Sequence, residues 1–395
     1  MNLTSDFPFW TVRDGLLNVY PPLSSSIKCN ALIVGGGISG ALLAHELISR
    51  GVDCVLIDRR DIGQGSTSAS TALLQYEIDT PLHELQQVVG PRFAERAYKL
   101  GVESIQQLKT LAGSTCGFAS RPSLQIAKIK SDVPDLKKEY EARRRIGLGV
   151  CWYDRVQLQE LGIHAECGIK SIVAAEVDPY LFTHKLLTAS MRKGLRVFDR
   201  TSALTYTNTR NGVIVKTDRR FSIQCKAVFF ATGYETQQFL PQKVVKLKST
   251  YAFVSEPLVD LSWWKDRILI WETGNPYLYM RTTNDNRVLV GGEDDSVRNP
   301  QKRDRQIDSK VARLLDKFHH RFHQRIEPAF GWAGVFGSTK DGLAYIGRHN
   351  SFPKGYFALG FGGNGITFSQ IAAKLLADQF LGQPSPDSRI FSFDR

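Results

Sequence analysis

The apolar positions of this chain fall into short unbroken runs and longer helical repeats. Ala31–Val34 (ALIV), Val55–Ile57 and the segment Lys226–Gly233 (KAVFFATG) hold consecutive apolar residues with little polar interruption. Such runs suit strands covered on both faces, as in a parallel sheet. Leu195–Phe198, Val213–Thr217 and Phe221–Gln224 read as a β-meander leading into the third run. Val244–Ser255 and Ile268–Gly292 are rich in aromatic and β-branched residues and read as further strands. Two segments repeat at helical spacing. In Pro300–Phe322, Ile307, Val311, Leu314, Leu315 and Phe318 share a face. Near the C-terminal end, Phe368, Ile371, Ala372, Leu375, Leu376 and Phe380 do the same, with Gln370, Lys374 and Asp378 opposite.

Glycines mark where these elements meet chemistry. Ala31–Val34 is followed by Gly35, Gly36, Gly37, Ile38, Ser39 and Gly40, which carry the GxGxxG spacing, then by a helix ending at Gly51. Gly35 permits the tight turn, Gly37 lets the backbone approach a pyrophosphate, and Gly40 lets the helix pack closely on the sheet. The helix start offers N–H groups and the positive end of its dipole to phosphate. Asp58 closes the next strand, 23 residues beyond Gly35. That is the expected place for a carboxylate accepting ribose hydroxyls, with Arg59 and Arg60 beside it. A second glycine loop, Gly362, Gly363, Asn364, Gly365, Ile366 and Thr367, feeds the C-terminal helix directly. A long cofactor charged at both ends would use two such helix starts.

Composition narrows the class. The chain has 395 residues, enough for two or three folding units, with 42% hydrophobic and 23% charged residues. This excludes a disordered or collagen-like chain. No apolar run of 18 or more residues occurs, so no membrane span is expected. Six scattered cysteines without a CxxC pair read as reduced thiols, pointing to a cytoplasmic protein without a zinc site. The net charge of +12 concentrates around Lys137–Arg145 and Gln301–Arg325. Mixed acidic residues make these read as solvated helical faces rather than a nucleic-acid surface. His319, His320 and His323 read as surface residues.

Taken together, the motifs resemble the D-amino-acid-oxidase-like (DAO) family of FAD-dependent oxidoreductases. They are VGGGISGALLAHEL (Val34–Leu47), DRRDIGQGSTSAS (Asp58–Ser70), VDPYLFTHKL (Val177–Leu186), AVFFATGYE (Ala227–Glu235), WAGVFGSTKDGLAYIG (Trp332–Gly347) and GFGGNGIT (Gly360–Thr367). The leader PFWTVRDG (Pro8–Gly15) is similar to that of the γ-glutamylputrescine-oxidase-like branch. The resemblance implies an α/β fold: a Rossmann-like FAD domain of the glutathione-reductase-like type, interleaved with an α+β substrate domain built on an antiparallel sheet. The expected division is an extension over 1–27, an FAD domain over 28–85, 170–245 and 331–395, and a substrate domain over 86–169 and 246–330. The ATG turn, Ala231, Thr232 and Gly233, would return the chain to the first nucleotide site. Gly65, Ser66, Thr67, Ser70 and Thr71, a small hydroxyl-rich loop, would approach the pyrophosphate and flavin, and Ala203 joins the expected FAD contacts. Every cysteine lies at or before Cys225 and no histidine lies in Asp58–Glu77, so the FAD is expected to be non-covalent.

The reaction so implied is oxidation of the C–N bond of an amine or amino acid, with hydride passing to flavin N5 and the imine hydrolysing in water. Oxygen, or a quinone or other electron carrier, would accept the electrons. Glycine oxidase holds its substrate carboxylate with two arginines; Phe336 and Gly363 stand at the matching positions here. Arg281 is the expected replacement anchor, Arg281 and Lys340 are candidate cations near the flavin, and Tyr251, Tyr277, Tyr279 and Trp332 are candidates for an aromatic wall. A hydroxy-acid or glycerol-phosphate dehydrogenase acting on C–OH, and a tRNA-modifying flavoprotein, are the alternatives on the same fold.

Overall fold

The computed structural model describes residues 3–5, 7–274, 276–297 and 299–395. Met1, Asn2 and Asp6 of the expected extension and Asn275 of the expected strand region lie outside them.

A six-stranded sheet forms the centre of the nucleotide half. Its order is Tyr345–His349, Phe352–Leu359, Ala227–Phe230, Ala31–Val34, Cys54–Ile57 and Arg196–Phe198. All neighbours are parallel except the first pair. The three apolar runs sit in the middle and are fully buried, because each presents side chains to a different layer on alternate residues. Ala31, Ile33, Leu56 and Phe229 pack under the helices Ile38–Ser49, Pro179–Met191 and Gly365–Phe380. Leu32, Val34, Val55, Ile57, Val228 and Phe230 pack on a small four-stranded sheet on the other face.

That small sheet is the meander, with one correction. Its strands are Ile27–Lys28, Ser222–Cys225, Gly212–Thr217 and Ala203–Thr209. Arg196–Phe198, assigned to the meander from sequence, instead pairs in parallel with Cys54–Ile57 at the edge of the central sheet. Ala203–Thr209 takes its place; its largely polar, half-exposed alternation hid it as a strand.

The second half is a nine-stranded sheet, in which strands from distant parts of the chain pair. Pro328–Ser338 forms one end, beside Lys246–Ser255, Val288–Asp295, Tyr279–Thr282 and Leu269–Glu272. Leu269–Glu272 pairs in parallel with Ala119–Ile126, so the sheet is mixed rather than wholly antiparallel. Leu73–Gln75, Cys167–Glu176 and Pro328–Ser338 all belong to this sheet. The sheet therefore crosses the boundaries expected near residues 85, 170 and 331, because these strands complete its ladder. One face carries Tyr251, Phe253, Met280 and Val290 against Leu314, Phe318 and Phe322 of the helix Ile307–Phe322. The helix read as Pro300–Phe322 is in fact two, Pro300–Asp304 and Ile307–Phe322.

The basic stretches are not simply solvated. In the helix Val133–Arg145, Glu139 and Arg143 are buried. Arg143 Nε donates to Glu139 Oε1 at 2.6 Å and Nη2 to Gln125 Oε1 at 2.8 Å. Nη1 lies 3.6 Å from Glu77. Arg303 is also buried. Removal of one partner from such a pair is costly because the other charge stays desolvated.

Burial alone would raise the Glu139 pKa, but Arg143 and the His83 hydrogen bond overcome it and hold the carboxyl at about 2. A depressed folded pKa stabilises above the unfolded value and stops doing so as pH falls through the folded one. Glu139→Gln is expected to cost about 3 kcal/mol at neutral pH, read from urea unfolding. The gap to the parent protein should close as pH falls from about 4.5 to about 2. A gap constant with pH would assign the loss to packing.

Candidate functional site

Between the central sheet and the free face of the nine-stranded sheet lies a cavity of about 580 Å³. Its floor is the first glycine turn. Gly35 has φ +114°, and a Cβ there would stand 2.4 Å from the Ala231 carbonyl oxygen, so only glycine fits. A Cβ on Gly40 would lie 1.9 Å from the Gly35 carbonyl oxygen, so the helix is seated directly on the turn. Gly35, Gly37, Ile38 and Ser39 line the cavity. Gly36 and Gly40 stand behind them and shape the turn. The Ser39 and Ser369 hydroxyls meet at 2.6 Å, which holds the starts of the helices Ile38–Ser49 and Gly365–Phe380 side by side.

One end of the cavity suits a nucleoside. Asp58 lines it, with Oδ2 accepting the Gly36 N–H at 2.6 Å and Oδ1 the Arg60 N–H at 2.8 Å. Each carboxylate oxygen keeps a further lone pair for a ribose hydroxyl. Arg59, Arg60, Ala203, Ala231, Thr232 and Gly233 line the same end. Arg59 and Arg60 both pair with Glu235, the latter at 3.5 Å.

The middle is closed by the loop 65–71, of which Gly65, Ser66, Thr67, Ser70 and Thr71 line the cavity. The loop is pinned from three sides. Thr67 Oγ1 accepts the Ile38 N–H at 3.0 Å. Two indoles donate to consecutive carbonyls: Trp332 Nε1 to Ala69 at 2.9 Å and Trp10 Nε1 to Ser70 at 2.6 Å. Trp10 reaches the loop because the N-terminal segment lies along the sheet edge. Ser5 N donates to Ala333 O at 3.0 Å and Val335 N to Leu3 O at 2.9 Å, so Leu3 itself lines the cavity.

The far end is the second glycine loop facing the sheet. Gly362, Gly363, Gly365 and Ile366 line it. Asn364 and Thr367 turn away and brace the loop, donating to the Glu77 and Gln75 carbonyls. Opposite stand Thr250, Tyr277, Tyr279, Asp294, Trp332 and Phe336. Tyr279 fits because Gly291 lies under its ring, where a Cβ would come within 2.3 Å. Its hydroxyl and Thr250 Oγ1 are 3.2 Å apart.

Some expected residues are elsewhere. Arg281 does not line the cavity. It is buried under Trp10, with its guanidinium 5.3 Å from that ring, Nη2 donating to Val177 O at 3.1 Å and Nη1 3.7 Å from Glu176. It lies two residues along the strand from Tyr279, where the N-terminal segment already covers the sheet. Lys340 is exposed and donates to Arg395 O at 2.9 Å. Tyr251 borders the cavity, but its hydroxyl lies on the helix side, 3.2 Å from both Asp295 and Gln306. Asp294 and Asp79, by contrast, escaped the sequence reading. The glycine pair before Asp294, in the run GGEDD, was the available signal, since glycines inside a strand mark close approach.

The arrangement fits FAD: two helix starts and their glycine loops face one cavity, and neither cysteine nor histidine lines it among the described residues. A Cβ on Gly37 would stand 2.8 Å from Thr67 Oγ1, which is tied to the Ile38 N–H. Gly37→Ala is therefore expected to yield folded but nearly colourless protein, measured as visible flavin absorbance per chain after gel filtration. Full colour would put the phosphates elsewhere. Trp10→Phe keeps a ring and removes the N–H held by Ser70; FAD binding should weaken about fivefold to tenfold by fluorescence titration.

The comparisons agree with this geometry. The family model described as FAD dependent oxidoreductase (DAO) matches residues 30–379. Glycine oxidase of Geobacillus kaustophilus is 24% identical over 371 residues, covering 89% of this chain and 92% of that protein. The crystal structure of glycine oxidase from that organism superposes with a TM-score of 0.77 at 20% identity, over 93% of this chain and 99% of that one. L-α-glycerophosphate oxidase of Mycoplasma pneumoniae, solved with FAD bound, superposes at 0.73 with 15% identity, over 91% and 97%. With most of its length matched by the family model and its two glycine loops facing one cavity, the chain belongs to the DAO family of FAD-dependent oxidoreductases.

Proposed function

We propose that the protein oxidises the C–N bond of an amine. The observation that carries this reading is the lining of the cavity opposite the second glycine loop. Among the described residues it offers hydroxyls and a carboxylate, from Thr250, Tyr277, Tyr279 and Asp294, and no arginine or histidine. Arg59 and Arg60, the arginines that line the cavity among the described residues, are engaged with Glu235 at the nucleoside end. A substrate that donates hydrogen bonds, as an amine does, finds acceptors here; a phosphate or a hydroxy-acid carboxylate finds few partners.

FAD supplies, when bound, the acceptor for hydride from the carbon next to nitrogen. The chain's own residues orient and desolvate. Asp294 accepts a hydrogen bond from the substrate nitrogen's neighbourhood, Tyr277 and Tyr279 flank it, and Trp332 and Phe336 exclude water from the wall. Burial raises the pKa of Tyr234, Tyr277 and Tyr279, so these lining tyrosines act as neutral hydroxyls. Loss of a proton and a hydride leaves an imine, which water splits into a carbonyl compound and ammonia or a smaller amine.

Mixed with purified holoenzyme without oxygen, primary or secondary amines should bleach the flavin band, with a carbonyl product and released nitrogen. Glycerol phosphate and hydroxy acids should leave it oxidised. The opposite pattern would replace this reading by oxidation at C–OH.

A further inference from the structure

We infer that the sheet-side end of the cavity is shaped for a substrate with a second positive charge and no carboxylate, a diamine-like cation, held by Asp294 and Asp79. The inference deepens the amine reading and rests on it.

The two carboxylates come from separate elements. Asp294 is the penultimate residue of the strand Val288–Asp295, after Gly291 and Gly292, and lines the cavity beside Tyr277 and Tyr279. Asp79 lies in the loop before the helix Leu82–Val89 and meets the second glycine loop. The Gly363 N–H reaches Asp79 Oδ2 at 3.1 Å and Oδ1 at 3.3 Å. A Cβ on Gly363 would come within 2.8 Å of the Tyr277 hydroxyl and 3.0 Å of Asp79 Oδ1, which joins the two sides of the site. Asp79 remains solvent-accessible.

Asp294 is incompletely satisfied. Its Oδ1 is closed to solvent and has no hydrogen-bond partner among the described residues. Burial pushes its pKa up to about 6, with Thr250, Lys248 and Lys310 lowering it and Asp79 raising it. Lys248 is a cation whose charge acts on both carboxylates. Lys310 belongs mainly to the other face, 3.0 Å from Asp295 and 3.8 Å from Glu293. Among the described residues, two carboxylates against Lys248 leave this end one formal negative charge in excess. A substrate cation removes the excess and supplies donors to an unfilled acceptor. Tyr277, Tyr279 and Trp332 add aromatic rings that tolerate an ammonium group. A substrate carboxylate would instead meet like charge, and its expected arginine cannot stand at position 363 without displacing Tyr277 and Asp79.

The test uses holoenzyme and three five-carbon probes: cadaverine, pentylamine and δ-aminovalerate. The readout is the concentration of each that gives half the maximal rate of anaerobic flavin reduction. Cadaverine should act at a concentration about tenfold below pentylamine, and δ-aminovalerate should be the poorest. Asp294→Asn should bring cadaverine to within about threefold of pentylamine, and Asp294→Glu should restore part of the preference. Flavin content and melting temperature check that each variant folds; the three-probe order in the unmodified enzyme needs no variant. Pentylamine or δ-aminovalerate equal to or better than cadaverine would overturn the inference while leaving amine oxidation standing, as would a preference unchanged in Asp294→Asn. Bleaching by hydroxy acids with none by any amine would overturn both.

Discussion

Two helices begin side by side in this protein, and the rest of the site follows from that. The first turns of Ile38–Ser49 and Gly365–Phe380 touch through Ser39 and Ser369, 2.6 Å apart. Each helix start carries roughly half a positive charge, so two like ends are pressed together. Such a pair is unfavourable unless something electron-rich lies before it. FAD, with its pyrophosphate and the electron-rich edge of its flavin, suits that need. The glycines at 35 and 40 are what allow the first of these helices to sit so deep: their missing side chains let backbone meet backbone.

Much of this was legible locally. The three buried strands, the turn at Gly35–Gly40, Asp58 and the second loop depend on residues close in sequence, so spacing alone exposes them. What escaped depends on partners far away. Arg281 reads as a strand-end charge facing a ligand, yet Trp10, from a segment hundreds of residues earlier, occupies the space above it. Asp294 carries no local signal beyond the glycine pair before it, and only the packing of Tyr277 and Tyr279 into the same lining makes it part of a cavity wall. Arg196–Phe198 is apolar enough for either sheet; parallel pairing with Cys54–Ile57 decides the matter.

The excess of basic residues has a similar lesson. Arg143, Arg281 and Arg303 are among the largest fully buried side chains. Their charges are matched inside the protein by Glu139, Glu176 and Asp304. Part of the positive composition is therefore spent on internal pairing rather than displayed to partners, and formal charge overstates what the surface offers.

The N-terminal segment is joined to the sheet edge across a separation of 328 residues, between Ser5 and Ala333. Contacts of this span are slow to form, because the intervening chain must be ordered before the ends can meet. During synthesis, this segment leaves the ribosome well before Pro328–Ser338, the strand with which it pairs, and waits for it. Until they dock, the loop that Trp10 fastens lacks one of its ties, so final tightening around the flavin belongs to the end of folding.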